Sequence, residues 1–171
     1  MNPLTQNLIG KILKESPYEG FNHQDYPQDV QGWGSQHPIF QRIIGAVKPA
    51  LVLEVGTWKG ASALHMASLL KAQSQEKGGD RAIICIDTWL GGLEHIDYSI
   101  PEGVGSLRRH GYPTVYYQFL ANVLYAGLQD YIVPLPNTSV IAARFLEKLK
   151  IQADLIYIDG SHDEEDVYAD L

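Results

Sequence analysis

A glycine loop preceded by an acidic residue is the first feature of the sequence that could do chemistry. Residues 51–60 read LVLEVGTWKG, so Glu54 precedes two glycines, Gly56 and Gly60. Glycine loops between a strand and a helix commonly bind phosphate through backbone N–H groups. A carboxylate a few ångströms from a phosphate would cost on the order of 1 kcal/mol or more at intermediate dielectric. A carboxylate at the mouth of this loop therefore favours a ligand with positive charge at that end.

A second acidic residue, Asp87, ends the apolar run RAIICID. An aspartate there can accept both hydroxyls of a ribose, as in dinucleotide sites, or it can simply start a turn. Because NAD also offers a ribose, Asp87 indicates only an adenosine-like ligand. The loop lacks the second glycine of G-x-G-x-x-G and has Trp58 there, which disfavours NAD. S-Adenosylmethionine (SAM) carries an adenosine, a sulfonium and an ammonium group and fits both acidic residues.

Several neighbouring positions have two interpretations each. Ser62, in the first turn of the following helix, can donate to a ligand carboxylate or be an ordinary helix-start serine. Trp89 can cover the face of an adenine or be buried against the lid that residues 90–113 would form. Asn137 and Ser139 can meet the edge of an adenine or cap a helix.

Composition and charge exclude some partners. Thirteen basic and twenty acidic residues give a net charge of −7, and the only tight basic pair is Arg108-Arg109. This balance argues against nucleic acid or an anionic membrane as the main partner. No apolar run approaches the roughly 20 residues that a membrane helix needs, and we expect the first residues to form a short helix and not a signal peptide. A single cysteine, Cys85, reads as a buried core thiol. We expect a cytoplasmic protein with a small-molecule substrate.

The elements that position these residues alternate between strands and helices. Apolar runs predict strands over residues 50–55, 81–87, 130–136 and 153–159, and helical periodicity predicts helices over 39–47, 60–73, 114–128, 139–150 and from 163 onward. The helix over 39–47 has one apolar stripe (Ile39, Phe40, Ile43, Ile44 and Val47), and the next helix turns Ala63, Met66, Ala67 and Leu70 inward. A short amphipathic helix opens the chain, and an ordered surface segment follows it.

This alternation predicts an α/β fold with a Rossmann-like, doubly wound parallel sheet. Residues 1–48 form a helical and irregular cap segment, and residues 49–171 form the cofactor-binding domain. Ligands of such sheets bind beyond the carboxyl ends of the strands. In this sequence those ends are residues 54–60, 87–89, 137–139 and 159–162.

Three motifs resemble those of class I SAM-dependent methyltransferases. They are LEVGTWKGASALHMA, CIDTW and DLIYIDGSHDEEDV, at the ends of successive predicted strands. The branch with catechol-type and antibiotic-tailoring O-methyltransferases is the most similar, because its first loop also reads E-x-G-x-[aromatic]-x-G, with Trp58 as the aromatic residue here. The resemblance runs from about residue 30 to the end of the chain.

The resemblance implies a set of site residues. The cofactor-binding residues would be Glu54, Gly56, Thr57, Trp58, Gly60, Ser62, Asp87, Thr88, Trp89, Asn137, Ser139 and Asp159. In metal-dependent members, the aspartate that ends the fourth strand binds Mg²⁺, and Asp159 is that residue here. His162 could be the general base for a substrate hydroxyl or a histidine bonded to the backbone at a helix start. The acidic residues 163–166 are expected to be a solvated helix start, and residues 90–113 lie where a substrate lid would be.

The family fold has seven strands, and the sequence predicts four. The further metal ligands of metal-dependent relatives follow a fifth strand, and without that strand the apolar segment DLIYI would be an edge strand. We expect either the N-terminal portion of a longer protein or an edge covered by the last helix or by a second copy, as a homodimer. The predicted function is SAM-dependent methylation of a hydroxyl group on a small molecule. The alternatives are a non-catalytic or regulatory SAM-binding module and, less favoured, an NAD-binding oxidoreductase.

Overall fold

The computed structural model describes residues 2–92 and 108–171, which contain six strands. They are β1 (Leu51–Val55), β2 (Ala82–Asp87), β3 (Arg108–Arg109), β4 (Tyr112–Pro113), β5 (Ile132–Pro136) and β6 (Leu155–Ile158). Four of them form a parallel sheet in the order β5-β2-β1-β6, and β3 and β4 form a separate antiparallel hairpin. The chain leaves β1 toward β2 and β5 and then crosses back to β6. The switch point of the sheet therefore lies between β1 and β6.

Helices cover both faces of the parallel sheet. They are α1 (Pro3–Ile12), α2 (Ile39–Val47), α3 (Ala61–Lys77), α4 (Val115–Tyr125), α5 (Ser139–Lys148) and α6 (Glu164–Asp170), with a short 3₁₀ turn at His23–Asp25. None of the helices in the described ranges is long and apolar enough to cross a membrane. The strand–helix alternation and the parallel α/β sheet predicted from the sequence are confirmed.

Two apolar cores fill the space between the sheet and the helices. Val52 and Ile83 of the sheet pack with Met66 of α3 and Phe119 of α4 on one face. On the other face, strand residues pack with Leu8 of α1 and with α5. Successive strand residues point to opposite faces, so continuous apolar strands are needed to fill both cores. The first helix of residues 1–48 is thus part of the core that the following residues build.

The predicted helix faces are confirmed for α3 and only partly for α2. All four residues predicted to point inward from α3 are buried. On α2 only Phe40 and Ile44 are buried, whereas Ile39, Ile43 and Val47 are exposed. The predicted helix is confirmed, and the described residues cover only part of its apolar stripe. This helix packs against α3, where the Ile44 carbonyl accepts a hydrogen bond from Gln73 Nε2 at 2.9 Å.

Strand β6 is an edge of the parallel sheet as described, in agreement with the sequence. It pairs with β1 only, and the side chain of Ile156 is 57% exposed. The last helix, α6, contacts α5 and exposes its own Val167 and Tyr168. The expectation that the last helix covers this edge is therefore wrong for the described part of the chain. A longer protein and a homodimer stay predictions.

Candidate cofactor site

The loop after β1 touches the loop after β6 through a glycine. Gly56 has φ +81°, and a Cβ built on it would lie 2.1 Å from the Asp159 carbonyl oxygen and 2.4 Å from Gly160 Cα. Its N–H donates to the Ile86 carbonyl at 2.9 Å. No side chain fits in this position, because any Cβ would overlap the backbone of the β6 loop. The first and fourth predicted site segments therefore meet at Gly56.

The second glycine of the loop caps α3. Gly60 is the N-cap residue with φ +92°, and a Cβ there would lie 2.8 Å from the Phe119 ring. The first intrahelical bond runs from Leu64 N–H to the Gly60 carbonyl at 2.8 Å. The N–H groups of the first turn therefore have no intrahelical acceptor, and they carry the positive end of the helix dipole. Such a helix end is suited to hold a carboxylate.

Asp87 holds the glycine loop in place. Its Oδ2 accepts the N–H groups of Thr57 (2.8 Å) and Trp58 (2.7 Å), and its Oδ1 accepts the N–H of Trp89 at 2.7 Å. Trp58 and Trp89 both have positive φ angles, which these bonds help to stabilise. A carboxylate has about four lone-pair sites, so one is left on Oδ1. One acceptor position is thus left for a ribose hydroxyl in this loop conformation, and the contact of Asp87 with a ribose stays a prediction.

Glu54 lies beneath the glycine loop and not at its mouth. It is fully buried on β1, and its carboxylate accepts hydrogen bonds from Thr57 Oγ1 (3.1 Å) and from Ser62 Oγ. Burial raises the pKa of Glu54 to about 7, although these two hydroxyl donors lower it. A neighbouring positive charge would favour its ionised form. The expected position of Glu54 is thus corrected, and its negative charge close to the site depends on pH.

Ser62 lies in the first turn of α3, as predicted, and its hydroxyl donates to the buried Glu54 carboxylate. Its contact with a ligand carboxylate stays a prediction. Thr57 gives its hydroxyl hydrogen to the same carboxylate. Both hydroxyls therefore hold the Glu54 carboxylate in place.

A row of titratable side chains crosses the sheet at the level of Glu54. Glu54 pairs in register with Cys85 on β2 and with Tyr157 on β6. Cys85 is a buried free thiol, as predicted, and burial raises its pKa. The Tyr157 hydroxyl donates to Asp159 Oδ2 at 2.8 Å, and burial and this bond raise the pKa of Tyr157. Tyr157 therefore orients the carboxylate that ends β6.

The two tryptophans of the site have different environments. Trp89 is 2% exposed, packs on Tyr116 and Phe119 with both ring centroids at 5.0 Å, and donates from Nε1 to the Trp58 carbonyl at 2.8 Å. The ring is therefore buried against α4; burial against the lid falls largely outside the described residues, and contact with an adenine stays a prediction. Trp58 is half-buried, with the Lys59 ammonium 5.7 Å from its ring centroid. Thr88, next to Asp87, is exposed.

The segment after β5 reaches the site through its backbone. Asn137 N–H donates to the Asp87 carbonyl at 3.0 Å, which places Asn137 beside Asp87. The exposed Asn137 side chain accepts from Thr138 N–H at 3.0 Å. Thr138 is the N-cap of α5, and Ser139 is the first residue of this helix. Neither Asn137 nor Ser139 is the capping residue, and their contact with an adenine stays a prediction.

Asp159 and His162 form the exposed end of the site. His162 Nε2 lies 3.7 Å from Asp159 Oδ1, and their side chains are 74% and 38% exposed. The acidic residues after them open α6 and are exposed, as predicted. Within residues 2–92 and 108–171, no three His, Cys, Asp or Glu side chains are placed to hold a metal ion. The described residues thus supply Asp159 but not a set of ligands that fits Mg²⁺.

The predicted substrate lid lies largely outside the described residues. Residues 93–107 of the predicted lid lie outside the described residues, whereas residues 108–113 form the β3–β4 hairpin. The hairpin leads directly into α4, whose Tyr116 packs on Trp89. The lid stays a prediction.

Sequence analysis missed a buried polar network behind the glycine loop. Lys59 is 3% exposed and forms an ion pair with Asp29 at 2.5 Å, and Asn122 of α4 bonds to the backbone of both residues. The signal was present in VYYQFLANVLY, where Gln118 and Asn122 stand four apart on an otherwise apolar helix. Two amides at this spacing share a helix face.

Two family profiles match this chain, and several known structures are similar to it. The profile described as "Methyltransferase domain" matches residues 53–171, and that described as "Rhamnosyl O-methyltransferase/CmcI" matches residues 12–93. No curated protein matches the chain in sequence. Structural similarity is found to the O-methyltransferase from Bacillus cereus in complex with SAH (18% identity, TM-score 0.43, covering 92% of this chain and 60% of that one). It is also found to cofactor-bound Rv0187 from MTB (18% identity, TM-score 0.47, covering 99% and 66%). The chain thus spans about two thirds or less of the length of these proteins.

A parallel α/β sheet with a glycine loop after β1 and an aspartate after β2 defines a Rossmann-like, cofactor-binding fold. Because the methyltransferase profile covers more than half of the sequence, the chain belongs to the methyltransferase-domain family. The resemblance described from the motifs is confirmed.

Proposed function

We propose that the protein transfers a methyl group from SAM to an oxygen atom of a small hydroxylated molecule. One observation carries this proposal: the glycine loop, Asp87 and Asp159 meet at the carboxyl end of the parallel strands. Gly56 is there in direct contact with the backbone of Asp159 and Gly160. The cofactor loop and the exposed acid–histidine pair are thereby adjacent. Membership of the methyltransferase-domain family supports the same function.

Three features around the glycine loop would suit the cofactor. The unbonded N–H groups at the start of α3 would hold its carboxylate, and the remaining lone pair of Asp87 would accept one ribose hydroxyl. Glu54, beneath the loop, would favour its positive charge, since a cation nearby stabilises the ionised carboxylate. SAM supplies a methyl group on a positively charged sulfur.

At the exposed end, His162 would act on the acceptor. Its imidazole would take the proton of the acceptor hydroxyl, and Asp159, at 3.7 Å, would stabilise the imidazolium that forms. Tyr157 holds the Asp159 carboxylate in orientation. Most of the rate would come from placing the acceptor oxygen and the methyl group in line.

Assistance by Mg²⁺ is a separate proposal that rests only on Asp159 and on the resemblance, since the described residues lack a complete ligand set. A dependence of turnover on added Mg²⁺, removed by EDTA and by Asp159→Asn, would support it. Turnover that is the same with and without EDTA would contradict it.

A non-catalytic SAM-binding module is the second candidate. The exposure of Asp159 and His162 favours it, because catalytic acids and bases usually lie in a less solvated pocket. NAD binding is disfavoured by the buried acidic residue beneath the loop, which would repel a pyrophosphate in its ionised form.

The test separates these functions with one assay. The chain is incubated with SAM and a panel of catechols, phenols, hydroxy acids and sugars, and formation of S-adenosylhomocysteine (SAH) and of methylated acceptor is followed by mass spectrometry. The enzyme hypothesis predicts SAH with at least one acceptor, and its loss in His162→Gln with SAM binding retained. SAM binding without SAH formation from any acceptor would favour the module.

A further inference from the structure

The segment of residues 27–32, which precedes α2, is held against the glycine loop by a buried ion pair. Lys59, inside the loop, donates from Nζ to Asp29 Oδ2 at 2.5 Å. The Lys59 side chain is almost fully buried, whereas Asp29 is partly exposed. A buried ammonium is costly unless it is paired and hydrogen-bonded, so removing Asp29 leaves an uncompensated charge. The loop and the segment are therefore energetically coupled.

Asn122 of α4 links the same two residues through their backbones. Its Nδ2 donates to the carbonyls of Asp29 (2.8 Å) and Lys59 (2.9 Å), and its Oδ1 accepts the Asp29 N–H at 3.1 Å. Gln118, one turn earlier, donates to the Pro27 carbonyl at 2.8 Å. The Lys59 peptide is thus fixed from its side chain by Asp29 and from its carbonyl by Asn122.

The fixed peptide sets the geometry of the helix end that the proposed function uses. Lys59 immediately precedes Gly60, the left-handed N-cap of α3, and Gly60 N–H donates to the Thr57 carbonyl at 2.8 Å. The same segment reaches the first residue of α3, because a Cβ on Gly32 would lie 2.7 Å from the Ala61 Cβ. A shift of Lys59 would therefore change the directions of the N–H groups in the first turn.

We propose that Lys59 and Asp29 are positioning residues that form a latch on the glycine loop and set its affinity for the cofactor. This inference rests on the proposed function, since it assumes that the loop binds SAM and SAH. Neither residue needs to contact the cofactor. Their effect passes through the Lys59–Gly60 peptide to the N–H groups at the start of α3.

The test measures SAH affinity by calorimetry, below the unfolding transition of every variant. Lys59→Met and Asp29→Asn are each expected to weaken binding about tenfold, because small misplacements of binding groups have effects of this size or larger. The double variant is expected to bind no more weakly than the single variants, since both changes break one interaction. Arg81→Met is the matched control, because Arg81 is a buried cation bonded to the carbonyls of Lys48 and Pro49, before β1.

The outcomes distinguish the latch from an ion pair that only stabilises the fold and from a direct contact between Lys59 and the cofactor. If Lys59→Met and Arg81→Met lower the thermal midpoint alike but neither changes SAH affinity, the ion pair only stabilises the fold and the latch is wrong. If Asp29→Asn binds SAH more tightly, the freed ammonium attracts the cofactor carboxylate directly, which also overturns the latch. Failure of the unaltered chain to bind SAH would instead refute the proposed function.

Hydrogen exchange gives a readout that does not need a variant to fold. The Asp29 amide, which donates to Asn122, is expected to exchange at least about tenfold more slowly with SAH bound, because the ligand stabilises the latched state. An amide near the same core but outside the network, such as that of Gln73 in α3, is the internal reference. Equal effects of SAH on both amides would contradict the latch.

Discussion

The two ends of the site differ in how they are held. Around the glycine loop the polar side chains of Glu54, Thr57 and Lys59 are buried and hydrogen-bonded to other side chains: Thr57 to Glu54, and Lys59 to Asp29. After β6, Asp159 and His162 are exposed and held by few contacts. Buried polar groups must be satisfied internally, whereas exposed ones are satisfied by water. Substitutions at the loop should therefore change stability and cofactor binding together, and substitutions after β6 should change chemistry at nearly constant stability.

The strongest test of this difference is Gly56→Ala. Its Cβ would overlap the Asp159 carbonyl, and alanine is strained at φ +81°, so we expect a loss of about 4 kcal/mol in the free energy of unfolding and loss of SAM binding. Gly45→Ala is the control, because a Cβ there meets no atom within 4 Å and the residue lies inside α2. This control should gain up to about 1 kcal/mol. Equal urea midpoints for the two variants would contradict the contact at Gly56.

The buried carboxylate gives the loop a pH dependence. With the pKa of Glu54 raised from 4.5 to about 7, the folded state binds an extra proton between these values. Its stabilising contribution is therefore present below pH 4.5 and is lost as pH rises through about 7, by about 3 kcal/mol at most. Urea unfolding at pH 5 and pH 8 should show this loss in the unaltered chain and less of it in Glu54→Gln. Identical pH profiles would show that Glu54 is not buried as described.

A smaller effect is expected from Asp87→Asn. The amide replaces one acceptor oxygen by a donor that faces a backbone N–H, which should cost about 2 kcal/mol of stability and weaken SAM binding about 30-fold. Asp80→Asn, in an exposed turn, is the matched control and should change neither quantity. Calorimetry with SAM and thermal unfolding measure both. Normal SAM affinity in Asp87→Asn would mean that the loop does not depend on this carboxylate.

At the exposed end the expected stability effect is the smallest. His162→Gln removes one long contact to Asp159 at a largely solvated position, so the free energy of unfolding should change by less than about 0.5 kcal/mol. SAM affinity should also be nearly unchanged, while methyl transfer is lost. A drop in thermal midpoint as large as that of Asp87→Asn would remove the distinction between the two ends.

The parallel sheet, and the loops that lie at the carboxyl ends of its strands, could be predicted because both depend on local sequence patterns. Four apolar runs fill two cores, and the order of motifs at their ends placed Gly56 beside Asp87 and Asp159. The direction of individual side chains was not predictable in the same way. Glu54 belongs to a motif at a loop, but its strand position turns it into the core beside Cys85.

Polar contacts between residues far apart in the sequence could not be predicted either. The partner of Lys59 lies 30 residues earlier, in a segment without a regular pattern, and no local signal specifies that pairing. Trp89 could not be assigned for a similar reason, because its burial depends on how α4 crosses the sheet. The partial exposure of the apolar stripe of α2 could not be predicted, because periodicity identifies an apolar face but not how much of it is covered.

The most direct test of the account is a calorimetric titration of the purified chain with SAM, SAH and NAD, with circular dichroism to show that the chain is folded. The account predicts that SAM and SAH bind with one site each, that NAD does not bind, and that Gly56→Ala abolishes binding while Gly45→Ala retains it. NAD binding, or a folded chain that binds neither SAM nor SAH, would contradict it.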